Sequence, residues 1–303
     1  MPELYKKPYP FLWHVSRPIN LSFTSFIVLS TFLIFMDSAS AITRKERSAF
    51  VAQICHRIEV VAGIHGLPSA FLARLIWKES RFNPNAVSPK GAMGIAQFMP
   101  GTADQRGLKD PFEPHSSIVA SALFLHDLRN EFGNWGLAAA GYNAGPGRVR
   151  RWLSRQSGLP FETQDFVASI TGHTAGEWRE KNFPKLVFSL GKEHDFQTAC
   201  RNLPTLFTGK QYAYGDTAPP KAWGVHIAAN FSRGKALSTF RRLQKQFPGT
   251  LGKHKPSVVR IVNLSMGNRP RYEVQVGAQS RNEGEALCQK HKRAGGACIV
   301  LRN

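Results

Sequence analysis

The chain has 303 residues, room for about two domains at roughly 150 residues each. Apolar residues make up 42% and charged residues 20%, which excludes a disordered chain and a polytopic membrane protein. Lys and Arg number 40 against 20 Asp and Glu, and a net charge of +20 calls for a polyanionic partner: nucleic acid, an anionic membrane face or an acidic polymer.

The chain opens with Lys6, Lys7 and Arg17 ahead of an apolar run from Leu21 to Met36, broken only by Ser and Thr. Ala39-Ser40-Ala41 follows, so residues 1–41 read as a secretory signal cleaved before Ile42. A helix over the 16 residues of the run spans roughly 24 Å, short for a hydrocarbon core of ~30 Å. The alternative is an uncleaved anchor, since the leader before the run is long, and this segment is the only membrane contact expected. Either way the folded part lies outside the cytoplasm, in the periplasm, which disfavours nucleic acid.

An exported chain can form disulfides, and its four cysteines allow three pairings. Cys55 with Cys200 and Cys288 with Cys298 are favoured because each pair then stays within one expected domain. Buried free thiols are the alternative.

From Arg44 to His65 the apolar positions Phe50, Val51, Ile54, Ile58 and Val61 recur at helical spacing, with Gly66 as the stop. Pro68 suits the first turn of a second helix with apolar residues at Phe71, Leu72, Leu75 and Ile76. Extending that stripe by three residues places Glu79 on the buried face at the end of the helix. Burial raises a carboxyl pKa, and a carboxylic acid that keeps its proton near neutrality can act as a general acid. Pairing with a nearby Arg, or capping a turn, would explain the same pattern.

Asn83-Pro84 and Ser88-Pro89-Lys90-Gly91 turn the chain back toward Glu79. The stretch 91–102 is rich in small residues that allow close backbone approach, and Gln97 within it offers amide donors and an acceptor. Farther on, the run Leu137 to Ala140 delivers Gly141-Tyr142-Asn143-Ala144-Gly145-Pro146-Gly147. A ring face beside amide groups suits a sugar, although Tyr142 alone would read as a core tyrosine.

Glu79-Ser80-Arg81-Phe82-Asn83-Pro84, the block from Ser88 to Ala103, and Gly141 to Gly147 together resemble the soluble lytic transglycosylase family, over about residues 50–185. The resemblance implies a mainly α-helical, lysozyme-like catalytic domain with a cleft for peptidoglycan glycan strands. It implies that Glu79 is the single catalytic acid/base, cutting between N-acetylmuramic acid and N-acetylglucosamine. The substrate's acetamido group and C6 hydroxyl would then close a 1,6-anhydro ring, so no second carboxylate is needed. Carried over in the same way, Ser88, Gln97, Met99, Tyr142, Asn143 and Glu162 would contact substrate. One departure is visible: where the family shows Tyr-Val after Glu-Thr and two variable residues, this chain has Phe166-Val167. A hydrolytic muramidase using Asp104 or Asp110 as a second carboxylate is a rival reading, and a non-catalytic wall-binding scaffold is another.

Most of the excess charge sits in the last third, where residues 206–303 hold 17 basic and 4 acidic groups, net +13. Residues 206–221 read as a linker. Beyond it, Trp223 to Ala229 alternates like a strand, Ser232 opens a helix, and Val258 to Val262 forms a short apolar strand. Tyr272 to Ala278, Ser280 and Ala297 to Leu301 repeat the series, giving a βαββαβ unit over 222–303. With Val274-Gln275-Val276-Gly277-Ala278 as its clearest element, this unit resembles the sporulation-related repeat domain, which implies binding to glycan strands. An RNA-binding domain of this topology would carry a Lys/Arg-Gly-Phe/Tyr-type run, and 222–303 lacks one. The expected architecture is therefore α+β: signal 1–41, catalytic domain 42–205, linker 206–221 and glycan-binding domain 222–303. Its ten His are scattered without paired ligand spacing, so neither metal nor cofactor is expected, and no protein partner is identifiable.

Overall fold

Residues 49–64 form helix α1, which sends Ile54, Ile58 and Val61 into the core as their spacing requires. Gly66 takes the left-handed conformation (φ 65°), and the Leu67 N–H donates to the Ala62 carbonyl at 2.8 Å, closing the helix end. Helix α2 (Ser69–Ser80) follows, with every residue from Ala70 to Trp77 buried. A helix apolar on one stripe only would leave Ala73, Arg74 and Trp77 outside, so α2 is the central rod of its layer. Arg74 is accommodated because its guanidinium donates to the carbonyls of Ser265, at 2.6 Å, and Ser189.

The computed structural model describes residues 45–186, 189–191, 195–203, 207–212, 217–266 and 269–303. Residues 1–48 make one unit, of which 45–48 are described and helical, and Ala49–Asn303 make a second. The expected export segment lies outside the described residues. Among the described residues no helix is long and apolar enough to cross a membrane.

Six short to medium helices wrap α2: α3 (Pro100–Gln105), α4 (Pro114–Phe132), α5 (Trp135–Ala144), α6 (Pro146–Leu153), α7 (Phe161–Thr171) and α8 (Ala175–Arg179). Their starts follow local rules. Glu113 accepts from the His115 and Ser116 N–H groups ahead of α4, Asn134 accepts from Leu137 N–H ahead of α5, and Thr174 with Glu177 forms a capping box for α8. Helix α9 (Phe196–Arg201) closes this layer and is tied to α1 by the Cys55–Cys200 disulfide. That bridge spans 145 residues, for which chain entropy suggests roughly 5 kcal/mol of stabilisation.

The second layer is a five-stranded antiparallel sheet in the order β1-β3-β4-β2-β5. Its elements are β1 (Phe207–Tyr212), β2 (Trp223–Asn230), α10 (Arg233–Gln246), α11 (Pro248–Leu251), β3 (Pro256–Asn263), β4 (Pro270–Ala278), α12 (Arg281–Arg293) and β5 (Ile299–Arg302). Ser232 and Ser280 cap α10 and α12, each accepting a backbone N–H three residues on. The expected βαββαβ series is all present, and Cys288–Cys298 links α12 to the approach to β5. With the helices of the first layer, this makes the fold α+β.

Strand β1 differs from the sequence expectation of a linker over 206–221. Residues 207–212 pair with Val259 to Asn263 of β3. Without them β3 would end the sheet with a row of unpaired backbone groups, so tertiary pairing overrides a weak local pattern.

One face of the sheet carries Val225, Val274 and Val276 and packs with Phe240 of α10 and Cys288 of α12. The other face is polar but closed: Arg271, Glu273 and Gln275 of β4 and His226 of β2 are all buried. The sheet docks on the helical layer through this side. Asn263 donates to the Ser169 carbonyl at 2.9 Å and Arg269 to that of Gly172 at 3.3 Å, both at the end of α7.

Candidate active site

Glu79 lies in the last turn of α2, half-buried, where backbone carbonyls end without helical partners. Two influences keep its proton on. Burial disfavours the carboxylate and pushes its pKa up to about 8, and the neighbouring Glu162 charge acts in the same direction. The negative end of the helix dipole adds to both. Lys78 opposes them. The result is a carboxylic acid that stays protonated at neutral pH.

The backbone beyond Glu79 is unusual. Arg81 and Phe82 both adopt left-handed conformations (φ 56° and 60°), as does Gln97 (φ 52°). For residues with a Cβ each costs roughly 1 kcal/mol or more, so surrounding contacts must hold them. Ser80 Oγ donates to the Ile95 carbonyl at 2.7 Å, and the Gln97 amide donates to the carbonyls of Ala86 at 3.0 Å and Gly94 at 2.9 Å. Isolated bridges Val87–Met93 and Met93–Phe98 fold residues 87–98 into a tight loop beside the end of α2. Gly94 in that loop has φ 73°, and a Cβ there would lie 1.7 Å from the Pro111 carbonyl oxygen. Only glycine fits on both counts.

Three other segments meet this loop. The Tyr142 hydroxyl in the last turn of α5 donates to the Ala96 carbonyl at 2.9 Å and lies 3.0 Å from Ser121 Oγ of α4. Phe98 meets the Tyr142 ring edge-on at 5.9 Å. Burial, helped by the Glu79 carboxyl, pushes the Tyr142 phenol far above its ordinary value, so it remains a neutral donor. Asn143 accepts from Thr163 Oγ1 of α7 at 2.7 Å. Lys90 of the loop reaches Glu162 at the start of α7 at 3.3 Å, with both side chains exposed.

The expected site residues thus fall on converging elements, with different degrees of freedom. Glu162 stays exposed, and Met99 is exposed just ahead of α3. Gln97 donates both amide protons to backbone carbonyls of the loop. Ser88 is occupied too, accepting from the Ala92 N–H at 3.0 Å. Asp104 and Asp110 are exposed, and Asp110 accepts from Phe112 N–H. Phe166, the departure from the family pattern, is buried in the helical core. Among the described residues no group of three or more His, Cys, Asp or Glu could hold a metal ion.

Sequence reading missed the ion pairs that begin at Lys78, next to Glu79. Lys78 Nζ donates to Asp165 Oδ2 of α7 at 2.8 Å, and Asp165 also accepts from Arg271 of β4. The two cations hold the Asp165 carboxyl well below its usual range. Lys78 adjoins the acid in sequence, but nothing local announces a partner 87 residues away.

One proton-holding carboxylate, a tight loop of small residues, a neutral phenol and the neighbouring carboxylate of Glu162 make a site of the general-acid type. Residues 58–164 match the family described as Transglycosylase SLT domain. The chain is 38% identical over 120 residues to the Soluble lytic murein transglycosylase of Salmonella typhimurium, covering 32% of this chain and 19% of that protein. It is 35% identical over 143 residues to the Membrane-bound lytic murein transglycosylase F of Yersinia pestis, covering 44% and 28%. Among solved structures it matches the 70 kDa soluble lytic transglycosylase of Escherichia coli at 27% identity and a TM-score of 0.36, covering 41% and 23%. The chain spans about a fifth of the length of the soluble relatives it matches.

Proposed function

We propose that this chain is an exported peptidoglycan lytic transglycosylase, with Glu79 as its single acid/base. The observation that carries the reading is the placement of Glu79 in the last turn of α2, half-buried beside the loop that Tyr142 ties down at Ala96. Protonated, Glu79 donates to the oxygen joining N-acetylmuramic acid to N-acetylglucosamine as that bond breaks. The acetamido group of the substrate stabilises the departing centre. Glu79, now a carboxylate, takes the proton of the C6 hydroxyl as this oxygen closes the 1,6-anhydro ring. Atoms balance without water, and a second carboxylate has no task.

Tyr142 holds the loop at Ala96, and the Gln97 carbonyl oxygen, Asn143, Met99, Ser88 and the exposed Glu162 provide the sugar contacts. The match over 58–164 supports this assignment. Residues 1–41 direct the chain to the periplasm, cleaved or left as an anchor.

The C-terminal domain holds the wall. Its sheet has one face against helices and the other closed, and its helices carry exposed cations. Phe247 meets His291 at 4.8 Å, and Thr250 Oγ1 lies 3.0 Å from His291 Nδ1, which gathers the ends of α10 and α12 into one corner. Arg241, Arg242, Lys245, Lys253, Lys290 and Lys292 are exposed there. Glycan strands bearing lactyl carboxylates fit that charge.

The test is solubilisation of purified peptidoglycan by the full chain and by Glu79→Gln. Release by the first and none by the second is expected. Equal release by both would remove Glu79 from the chemistry.

A further inference from the structure

Lys78 stands immediately before the acid, and a free ammonium there would stabilise the Glu79 carboxylate and strip its proton. The structure ties that ammonium into a chain of polar partners, which limits its pull on Glu79 without removing it. Lys78 donates to one oxygen of Asp165 at 2.8 Å, and Arg271 donates to the other. Arg271 also meets Glu273 at 2.7 Å, and Glu273 lies 2.6 Å from His226 Nδ1. The first two residues belong to the helical layer and the last three to the C-terminal sheet. Arg271, Glu273 and His226 are buried, which shields the sheet end of the link, whereas Lys78 and Asp165 are partly exposed.

We propose that Asp165 is a positioning residue for Glu79, aimed by Arg271, so that the docked C-terminal sheet is part of the catalytic apparatus rather than a tether alone. The proposal rests on the transglycosylase reading for its consequence, since the proton that matters is the one Glu79 delivers. The docking contacts from Asn263, Arg269 and Arg74 fix the sheet on α7 and α2 independently of Arg271. Arg271 adds to these contacts a charged one that ends on Asp165. The charged or titratable groups around Glu79 are Lys78 on α2, Tyr142 on α5 and Glu162 on α7, and those around Asp165 are Lys78, Arg271 and Glu273.

The test is a carbon-13 titration of the Glu79 carboxyl in the full-length protein, assigned by its loss in Glu79→Gln. In Asp165→Asn the Glu79 midpoint should fall by on the order of one pH unit, because Lys78 is left uncompensated beside it. Arg271→Gln should move it the same way by less. Lys78→Met combined with Asp165→Asn should return it toward the wild-type value, which a merely structural role would not do. The alkaline limb of turnover should follow the same order. A midpoint unmoved in Asp165→Asn, or unrestored in the double variant, overturns the proposal. If Asp165→Asn does not fold, Arg271→Gln decides: no shift in its midpoint is equally fatal. The titration needs no substrate, so a wild type that titrates as expected but releases nothing from peptidoglycan faults the enzymatic reading and leaves the positioning intact.

Discussion

The Tyr142 hydroxyl donates to the Ala96 carbonyl at 2.9 Å, joining the last turn of α5 to the loop beside Glu79. This bond crosses 46 residues and fixes a segment that otherwise has mainly its own turns to hold it. Tyr142→Phe keeps the ring against Phe98 and Phe124 and removes only the oxygen. The expected cost is about 1 kcal/mol of stability, by the usual net worth of a hydrogen bond, with a loss of turnover of roughly tenfold. Denaturant melts and initial rates on peptidoglycan check both.

Gly94 admits no side chain. Gly94→Ala would drive a Cβ into the Pro111 carbonyl oxygen and would also have to hold φ 73°. The loop must then rebuild, at a cost of at least about 2 kcal/mol and with activity lost. Proteolysis within residues 86–98, faster than in the wild type, would report the rebuilt loop directly.

Glu79 should cost stability as the general acid. Its folded pKa of about 8 lies above the unfolded value near 4.5, so the folded state keeps a proton that the unfolded state has released. Unfolding free energy therefore falls as pH rises from about 4.5 to about 8 and is level beyond both. Glu79→Gln is neutral throughout and should be more stable than the wild type, by a few kcal/mol at pH 7 and by little at pH 4. Melts across that range check the sign: a gap that closes as pH rises would contradict a raised pKa. Turnover should fall above about pH 8 as the acid loses its proton.

Reduction should act on two scales. Breaking Cys55–Cys200 frees a loop of 145 residues and should lower stability by several kcal/mol. Breaking Cys288–Cys298 frees only 10 and should cost roughly 3 kcal/mol, felt first in the sheet and its two covering helices. Separate Cys→Ser pairs, followed by thermal melts and by release from peptidoglycan, distinguish the two.

Much of this was legible in the sequence because the signals were local. Ser232 and Ser280 announce their helices by cap chemistry, and the apolar alternation of 223–229 and 272–278 specifies the inner strands. Glu79 was found by continuing a helical stripe. The features that escaped are long-range. Residues 207–212 become a strand only because β3 offers an open edge. Arg74 sits inside the protein only because carbonyls from Ser189 and Ser265 receive it. The bracing of the loop by the Gln97 amide is not visible in the sequence, since its acceptors are the backbone carbonyls of Ala86 and Gly94. The charge that first suggested nucleic acid divides by fold: Arg271 is buried against the active-site layer, whereas the cations of α10 and α12 face solvent.

The muramic acid end left after cleavage of purified peptidoglycan, identified by mass spectrometry, tests the single-acid mechanism most directly. A 1,6-anhydromuramic acid terminus from the wild type, and no product from Glu79→Gln, is the expected result. A reducing-end muramic acid, or the same product from Glu79→Gln, would contradict it.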